Sequence, residues 1–163
     1  MLITGLLHVA IKTDRLDLTN AFYEKVLGLT QASRPDFGYP GAWLACTTPG
    51  GEAIIHIYAG GPALGGAETV AKGTAAIDHL SLTAYGYHAF RERFQAFGLD
   101  WREFLVPGTD LWQLFIYDPS GVQLELTFDG RTEGGPGPDM REGRCYEAGS
   151  NFFNPDLYHS LEG

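Results

Sequence analysis

Two related stretches, LLHVAIKT at residues 6–13 and AIDHLSLTA at residues 76–84, decide the fold of this chain. Each begins one half of the sequence, and the two halves continue in the same order. The first half goes on through AFYEKVLGL to WLACTTPGGEAIIHIY, and the second goes on through AFRERFQAFGL to WQLFIYDPSGVQLELTF. Because an internal repeat fixes the architecture of a protein, we expect two copies of one structural unit.

The repeat also aligns residues that could bind a metal ion. His8 aligns with His79 at an offset of 71 residues, and His56 aligns with Glu125 at an offset of 69. Two glycines and two tryptophans align at offsets of 70 and 69, namely Gly28 with Gly98 and Trp43 with Trp112. Three imidazoles and one carboxylate therefore occupy two pairs of equivalent positions.

The pattern in each half predicts a βαβββ unit. Leu7, Val9 and Ile11 alternate with the residues between them, which is typical of a strand with one apolar face. Apolar residues at helical spacing follow in both halves: Leu18, Phe22, Val26 and Leu29, then Phe90, Phe94 and Phe97. Gly28 and Gly98 are the expected helix stops. Turn signals such as TPGG and DPSG then separate about three further strands.

We expect one domain at residues 1–128, with modules at 1–59 and 77–128 and a Gly- and Ala-rich connection at 60–76. Residues 129–163 form a Gly- and Pro-rich tail that ends in an aromatic cluster: Tyr146, Phe152, Phe153 and Tyr158. Because so many aromatic side chains are seldom left in water, we expect the tail to dock on the domain or on a second subunit.

Composition bounds the class of protein. With 163 residues, 44% of them hydrophobic and 13% aromatic, the chain suits a globular domain with a proper core. A net charge of −9 argues against a nucleic-acid groove or an anionic membrane surface, since both need clustered Lys and Arg. Cys46 and Cys145 are too few for a disulfide framework, and neither a signal peptide nor a membrane span is expected. These features predict a cytoplasmic protein.

Strand alternation places the candidate ligands away from the helices. The helices must cover the apolar face of each sheet, so the opposite face lines whatever the sheets enclose. That face carries His8, His56, His79 and Glu125. Imidazole nitrogens with one carboxylate suit Fe(II), Zn, Mn, Co or Ni, and poorly suit Ca or Mg. Two histidines and one carboxylate with open positions opposite are the arrangement of non-heme Fe(II) oxygenases.

Each of these residues also has a structural interpretation. A buried polar network could hold His8, His79 and Glu125, but burying an unpaired Glu is costly, which favours a metal. His56 is either a fourth ligand or an unligated acid–base residue. His88 and His159 have no equivalent partner and are assigned structural or surface positions. Four aromatic residues either line a pocket for a flat substrate or belong to the core: Tyr39, Trp43, Trp112 and Tyr117. Because the two tryptophans align with each other in the repeat, the core is favoured for them.

These stretches resemble the vicinal oxygen chelate superfamily, which includes glyoxalase I, extradiol dioxygenases, epimerases, fosfomycin-modifying transferases and bleomycin resistance proteins. The resemblance covers roughly residues 5–128 and rests on LLHVAIKT with AFYEKVLGL, on AIDHLSLTA and on LFIYDPSGVQLELTF. It implies an α+β fold in which two βαβββ modules form a U-shaped barrel around a divalent metal. The ligands it implies are His8, His79 and Glu125, with His56 in the fourth place.

The triad with His56 nearby is similar to that of extradiol dioxygenases. This similarity implies an Fe(II) enzyme acting on a small catechol-like substrate, with His56 and Tyr117 as candidate catalytic residues. Extradiol enzymes place a Tyr and a His where this chain has Phe115 and Val106. One alternative is a glyoxalase I-like lyase or epimerase that uses Zn, Ni or Co. Another is a small-molecule binding protein of the bleomycin-resistance kind. The expected partners are a substrate with two vicinal oxygens and a second copy of the chain.

Overall fold

The structure, a computed structural model, describes residues 2–3, 5–48 and 51–162. It divides the chain into two units, Met1–Ala71 and Lys72–Gly163, and this division falls inside the predicted connection. Pro49 and Gly50 of the predicted TPGG turn lie outside the described residues. Within the described part of the chain, no helix is long and apolar enough to cross a membrane.

The first unit contains one mixed four-stranded sheet. Its elements in chain order are β1 (Val9–Lys12), α1 (Leu16–Ala21) with a π-helical continuation (Phe22–Val26), β2 (Thr30–Ala32), β3 (Gly41–Ala45) and β4 (Ala53–Tyr58). The strand order is β1-β4-β3-β2, with β1 parallel to β4 and the other pairs antiparallel. This is the predicted strand, helix and three strands.

The second unit repeats this topology. Its elements are β5 (Leu80–Thr83), α2 (Tyr87–Ala96), β6 (Arg102–Leu105), β7 (Leu111–Tyr117) and β8 (Gln123–Asp129), in the sheet order β5-β8-β7-β6. The strand β5 is parallel to β8, as β1 is to β4. The predicted α+β fold with two βαβββ modules is confirmed. In the tail, α3 (Gly130–Glu133) and a 3-10 helix (Pro155–Leu161) follow.

The helix of each unit ends just before the glycine that was predicted to stop it. The backbone φ angle is +76° at Gly28 and +68° at Gly98, and this left-handed conformation suits glycine and stops a helix. Phe22, Val26 and Phe94 are fully buried, so the helical spacing of the apolar residues is also confirmed. Each helix therefore supplies part of the core of its own unit.

The first strand is shorter than its apolar pattern predicted. Leu6 is 85% exposed and Leu7 is 69% exposed, and both precede β1, so the prediction that Leu7 joins the apolar face is wrong. The partner strand β4 begins only at Ala53, and the parallel pairing starts at Val9. Val9, the first paired residue, is only partly buried, so Ile11 alone of the three predicted residues is fully in the core.

Candidate metal centre

The strand register places two candidate ligands at equivalent points of the two sheets. Ala10 of β1 pairs with His56 of β4, and Ser81 of β5 pairs with Glu125 of β8. The offsets between these pairs are those of the sequence repeat. The equivalence of His56 and Glu125, inferred from sequence spacing, is therefore also present in the hydrogen-bonded pairing of the strands.

His8 and His56 lie together in the first unit. Their rings are stacked with centroids 3.8 Å apart at an angle of 17°. The Trp43 ring also stacks on His56, at 4.4 Å and 11°. Burial lowers the pKa of His56, which is only 7% exposed, and the neighbouring His8 lowers it further. His56 is therefore neutral at pH 7, the form that binds a metal or accepts a proton.

His79 and Glu125 lie together in the second unit. His79 Nε2 is 3.2 Å from Glu125 Oε2, and His79 Nδ1 is 2.6 Å from Asp78 Oδ1. Glu125 is 7% exposed, and its Oε1 accepts hydrogen bonds from the hydroxyls of Ser81 and Thr127, each at 2.5 Å. The two hydroxyls hold one carboxylate oxygen and leave the other facing the imidazole.

This arrangement fits a divalent metal ion. A histidine ligand usually donates its second ring N–H to a carboxylate, which orients the ring, and Asp78 stands in that place for His79. Nitrogen and carboxylate donors suit Zn, Fe, Mn, Co or Ni. Each unit brings together two of the four candidate ligands. Among the described residues, no three His, Cys, Asp or Glu side chains are grouped as a metal site.

A chain of hydrogen bonds extends from Tyr117 to the second pair. The Tyr117 hydroxyl donates to Gln123 Oε1 at 2.5 Å, and Gln123 Nε2 donates to the Tyr146 hydroxyl at 3.1 Å. The Tyr146 hydroxyl in turn donates to Asp78 Oδ1 at 3.3 Å, the oxygen that also contacts His79. Burial raises the pKa of Tyr117, so its hydroxyl stays protonated. A catalytic role for Tyr117 stays a prediction.

Sequence reasoning did not nominate Tyr146, although it is part of this network. Its ring stacks on Phe115 with centroids 3.6 Å apart at 7°, and Phe115 meets the His79 ring edge-on at 5.5 Å. Phe152 contacts Tyr117 on the same part of the sheet. Tyr146 and Phe152 of the C-terminal tail therefore pack on the ligand-bearing face of the second unit. The aromatic cluster of the tail was the available signal, but its destination depends on tertiary contacts.

The two tryptophans are not structural equivalents. Trp43 pairs with His56, whereas the residue that pairs with the glutamate ligand is Phe115. Thirteen positions separate Trp43 from His56, but only ten separate Phe115 from its partner, so the offset changes within the repeat. Trp112 instead contacts Tyr87 of α2. The assignment of both tryptophans to the core is therefore wrong for Trp43, which lies against a candidate ligand.

The remaining residues singled out in the sequence lie away from the candidate ligands of their own unit. Tyr39 packs against Tyr58 and lies beneath the guanidinium group of Arg34. His88 Nε2 is 3.0 Å from the Gly134 carbonyl oxygen, and His159 is exposed in the 3-10 helix. Within the described residues of the second unit, neither histidine contacts His79 or Glu125. They keep their structural and surface assignments.

Removing the carboxylate behind His79 should weaken metal binding. Asp78→Ala is expected to reduce Zn²⁺ affinity about 10–100-fold, the usual cost of losing such an orienting partner. Asp78 is 61% exposed, so the fold should survive. Competition with a chromogenic chelator measures the affinity, and Asp110→Ala, another exposed aspartate, serves as the control. Equal affinities in the two variants would contradict the assignment of Asp78.

Comparisons with known proteins identify the family. Residues 5–126 match the family described as the Glyoxalase/Bleomycin resistance protein/Dioxygenase superfamily. Glyoxylase I 4 of Arabidopsis thaliana is 30% identical over 131 residues, which cover 76% of this chain and 70% of the relative.

Solved structures share the fold. Lactoylglutathione lyase from Agrobacterium tumefaciens has a TM-score of 0.57 at 18% identity, covering 80% of this chain and 97% of that chain. The fosfomycin resistance protein FosX from Listeria monocytogenes has a TM-score of 0.57 at 18% identity, covering 78% and 94% respectively. At this identity the structures establish the fold alone. The resemblance inferred from the repeat is confirmed, and the chain belongs to the Glyoxalase/Bleomycin resistance protein/Dioxygenase superfamily.

Proposed function

We propose that the protein is a metal-dependent lyase or isomerase of the glyoxalase type, acting on a small molecule with two vicinal oxygens. In this proposal His8, His56, His79 and Glu125 are ligands of a divalent metal, with Zn, Ni, Mn or Co preferred. The observation that carries it is the equivalent register of His56 and Glu125. Equivalent positions favour equivalent roles, and thus four protein ligands. The relative named Glyoxylase I 4 supports the same reaction class.

The chain prepares this site before any substrate binds. A bound divalent ion would supply Lewis acidity, which stabilises negative charge on substrate oxygens. Ser81 and Thr127 fix the carboxylate of Glu125, and Asp78 fixes the ring of His79. Because these groups are held before binding, little reorganisation is required during the reaction.

A second candidate is the extradiol-type Fe(II) dioxygenase acting on a catechol-like substrate. It is favoured by the surroundings of His56, which is neutral, buried and held between two stacked rings. Such an imidazole suits proton transfer, and His8, His79 and Glu125 would then be the ligands. A metal-independent binding protein of the bleomycin-resistance kind is the third possibility, and removal of the metal tests it.

We further propose that the protein is a homodimer of the cytoplasm. Both Cys46 and Cys145 are free thiols, as expected in a reducing compartment. Closed two-fold dimers are the commonest soluble oligomers. Light scattering after gel filtration tests the dimer, and a monomer that retains its metal would overturn it. Metal stoichiometry per chain then shows how many centres the four candidate ligands form.

Metal identity separates the proposed reactions. We expect anaerobically purified protein to retain Zn, Ni, Mn or Co, to consume no O2 with a panel of catechols, and to lose any ligand-dependent turnover when chelated. The hemithioacetal of glutathione and a 2-oxoaldehyde is the first lyase substrate to assay. Iron accompanied by O2 consumption would overturn the lyase in favour of the dioxygenase. Ligand binding that is unchanged in the metal-free protein would support the binding protein.

Two substitutions of His56 distinguish a ligand from an acid–base residue. If His56 is a ligand, His56→Ala lowers metal affinity by more than about 100-fold, which exceeds the usual effect of removing a residue that only orients a ligand. His56→Glu, which places a carboxylate at both equivalent positions, retains affinity within about tenfold because carboxylates also bind these metals. His159→Ala, at an exposed histidine, is the control. Normal metal affinity but lost turnover in His56→Ala would show the acid–base role instead.

A further inference from the structure

A polar pocket lies on the helix side of the second unit, between α2 and the tail. It consists of two cavities of about 480 and 210 Å³ that share Arg91, Gln95 and Trp101 as lining residues. The larger cavity is also lined by Arg141 and Arg144. Three arginines therefore meet in one pocket of a chain whose net charge is −9. The larger volume is within the range of small-molecule sites.

This pocket is distinct from the candidate metal centre. Alternate residues of a strand point to opposite faces of the sheet, and Arg102 of β6 pairs with Phe115, which contacts His79. Glu103, the next residue, points to the opposite face and bonds Arg91 of α2. The sheet of the second unit thus separates the arginine pocket from His79.

Two buried or ion-paired carboxylates beside the arginines, Glu103 and Asp139, are already used. Both oxygens of buried Glu103 accept hydrogen bonds from protein groups, and its Oε1 lies 2.9 Å from Arg91 Nε. The carboxylate of Asp139 accepts from Nε and Nη2 of Arg141 at 2.8 and 2.5 Å. Glu103 and Asp139 consequently offer little to an incoming cation, and Glu92 lines only the smaller cavity.

The three arginines, in contrast, have N–H donors that are not used in hydrogen bonds. A guanidinium group has five N–H donors. Arg91 Nε is ion-paired with Glu103 but makes no hydrogen bond within the described residues. Arg144 Nη1 donates to the Trp101 carbonyl at 2.8 Å and lies 3.8 Å from Asp100 Oδ1, and Arg141 uses two nitrogens. Arg144 is held in place, because its guanidinium lies 4.1 Å from the centre of the Trp101 ring. The structure gives the other N–H groups no acceptor among the described residues.

We propose that this pocket binds a small molecule through its oxyanion, a phosphate or carboxylate group, held by Arg91, Arg141 and Arg144. The planar fork of arginine matches both groups, and a charge-assisted bond to either is stronger than a neutral one. The function is separate from the proposed metal chemistry. Inorganic phosphate and benzoate, titrated separately by calorimetry at low salt, distinguish the tetrahedral from the planar anion.

A matched pair of variants tests the pocket. Arg141 and Arg131 are both exposed and each binds the aspartate two positions before it, but only Arg141 lines the cavity. We expect Arg141→Gln to weaken binding of the preferred anion at least about tenfold, or about 1.4 kcal/mol, while Arg131→Gln leaves it unchanged. Arg144→Gln should act like Arg141→Gln, with folding checked by its melting temperature.

Other outcomes would overturn the proposal. Absence of saturable binding of both anions at millimolar concentration excludes an oxyanion site. Equal losses in Arg141→Gln and Arg131→Gln would indicate non-specific attraction, which salt screens in both variants alike. The metal content of each variant, measured in parallel, should equal that of the unmodified protein. That readout keeps failure of this pocket distinguishable from failure of the metal proposal.

Discussion

Glu125→Gln should abolish metal retention, with affinity falling by more than about 100-fold, while the fold persists. The amide is nearly isosteric with the carboxylate, and its oxygen can still accept from Ser81 and Thr127. The negative charge opposite His79 is lost, however, and a neutral amide is a poor ligand for Zn, Ni or Fe(II). The loss should exceed that of Asp78→Ala, because a ligand itself is removed.

The measurement is metal content after dialysis, with affinity from chelator competition. Glu142→Gln, at an exposed glutamate of the tail, controls for the general loss of one negative charge. The melting temperature of the metal-free Glu125→Gln protein should be close to that of the metal-free parent. If Glu125→Gln retains metal at parental affinity, Glu125 is not a ligand, and its buried carboxylate belongs to a structural network with His79.

Glu103→Ala is expected to lower the free energy of unfolding by about 3 kcal/mol. Removing one member of a buried ion pair costs about 3–5 kcal/mol, and the lower end applies because Arg91 is partly exposed. The change also leaves the Tyr87 hydroxyl and the Trp101 indole N–H without their acceptor. Burial and the hydrogen bond to Glu103 raise the pKa of Tyr87, so the Tyr87 hydroxyl remains a donor throughout the neutral pH range.

Thermal unfolding measures the effect, which corresponds to a decrease of roughly 6–12 °C for a chain of this size. Glu142→Gln is again the control, and it should change the melting temperature little because exposed substitutions usually do. The Glu103 side chain also accepts from the Asp139 amide of the tail, a bond that Glu103→Ala removes. Loss of Glu103 should therefore make the tail more susceptible to proteolysis. An unchanged melting temperature would show that the cluster contributes no net stability.

Most of the fold could be predicted from the repeat, because the patterns within each half are local ones. Helical spacing, glycine stops and strand alternation follow from backbone geometry over a few residues, and the glycines at 28 and 98 adopt the expected positive φ. The repeat also aligned His56 with Glu125, as the parallel strand pairs do. In contrast, Trp43 was aligned with the wrong residue, because the first unit has two more residues in the connection between its last two strands and a register shift of one residue at Leu44 and Ala45.

The contacts around the ligands could not be inferred in the same way. Asp78 was passed over, although it precedes His79, because only the geometry shows its carboxylate at the second ring nitrogen. Tyr146 comes from a tail far along the chain, and nothing in its local pattern indicates which sheet it will cover. Glu103 is a charged strand residue whose burial depends on a helix arginine, a tyrosine and an indole meeting it.

The sequence by itself determined the duplicated architecture and nominated the four candidate ligands, since both follow from short-range spacing repeated twice. The tertiary structure decided which ligand is paired with which: His8 with His56 in the first unit, and His79 with Glu125 in the second. It also decided that the tail packs on the second unit, and that Arg91, Arg141 and Arg144 line one pocket on the helix side of its sheet. Such long-range packing depends on shape and partner groups that no local pattern encodes.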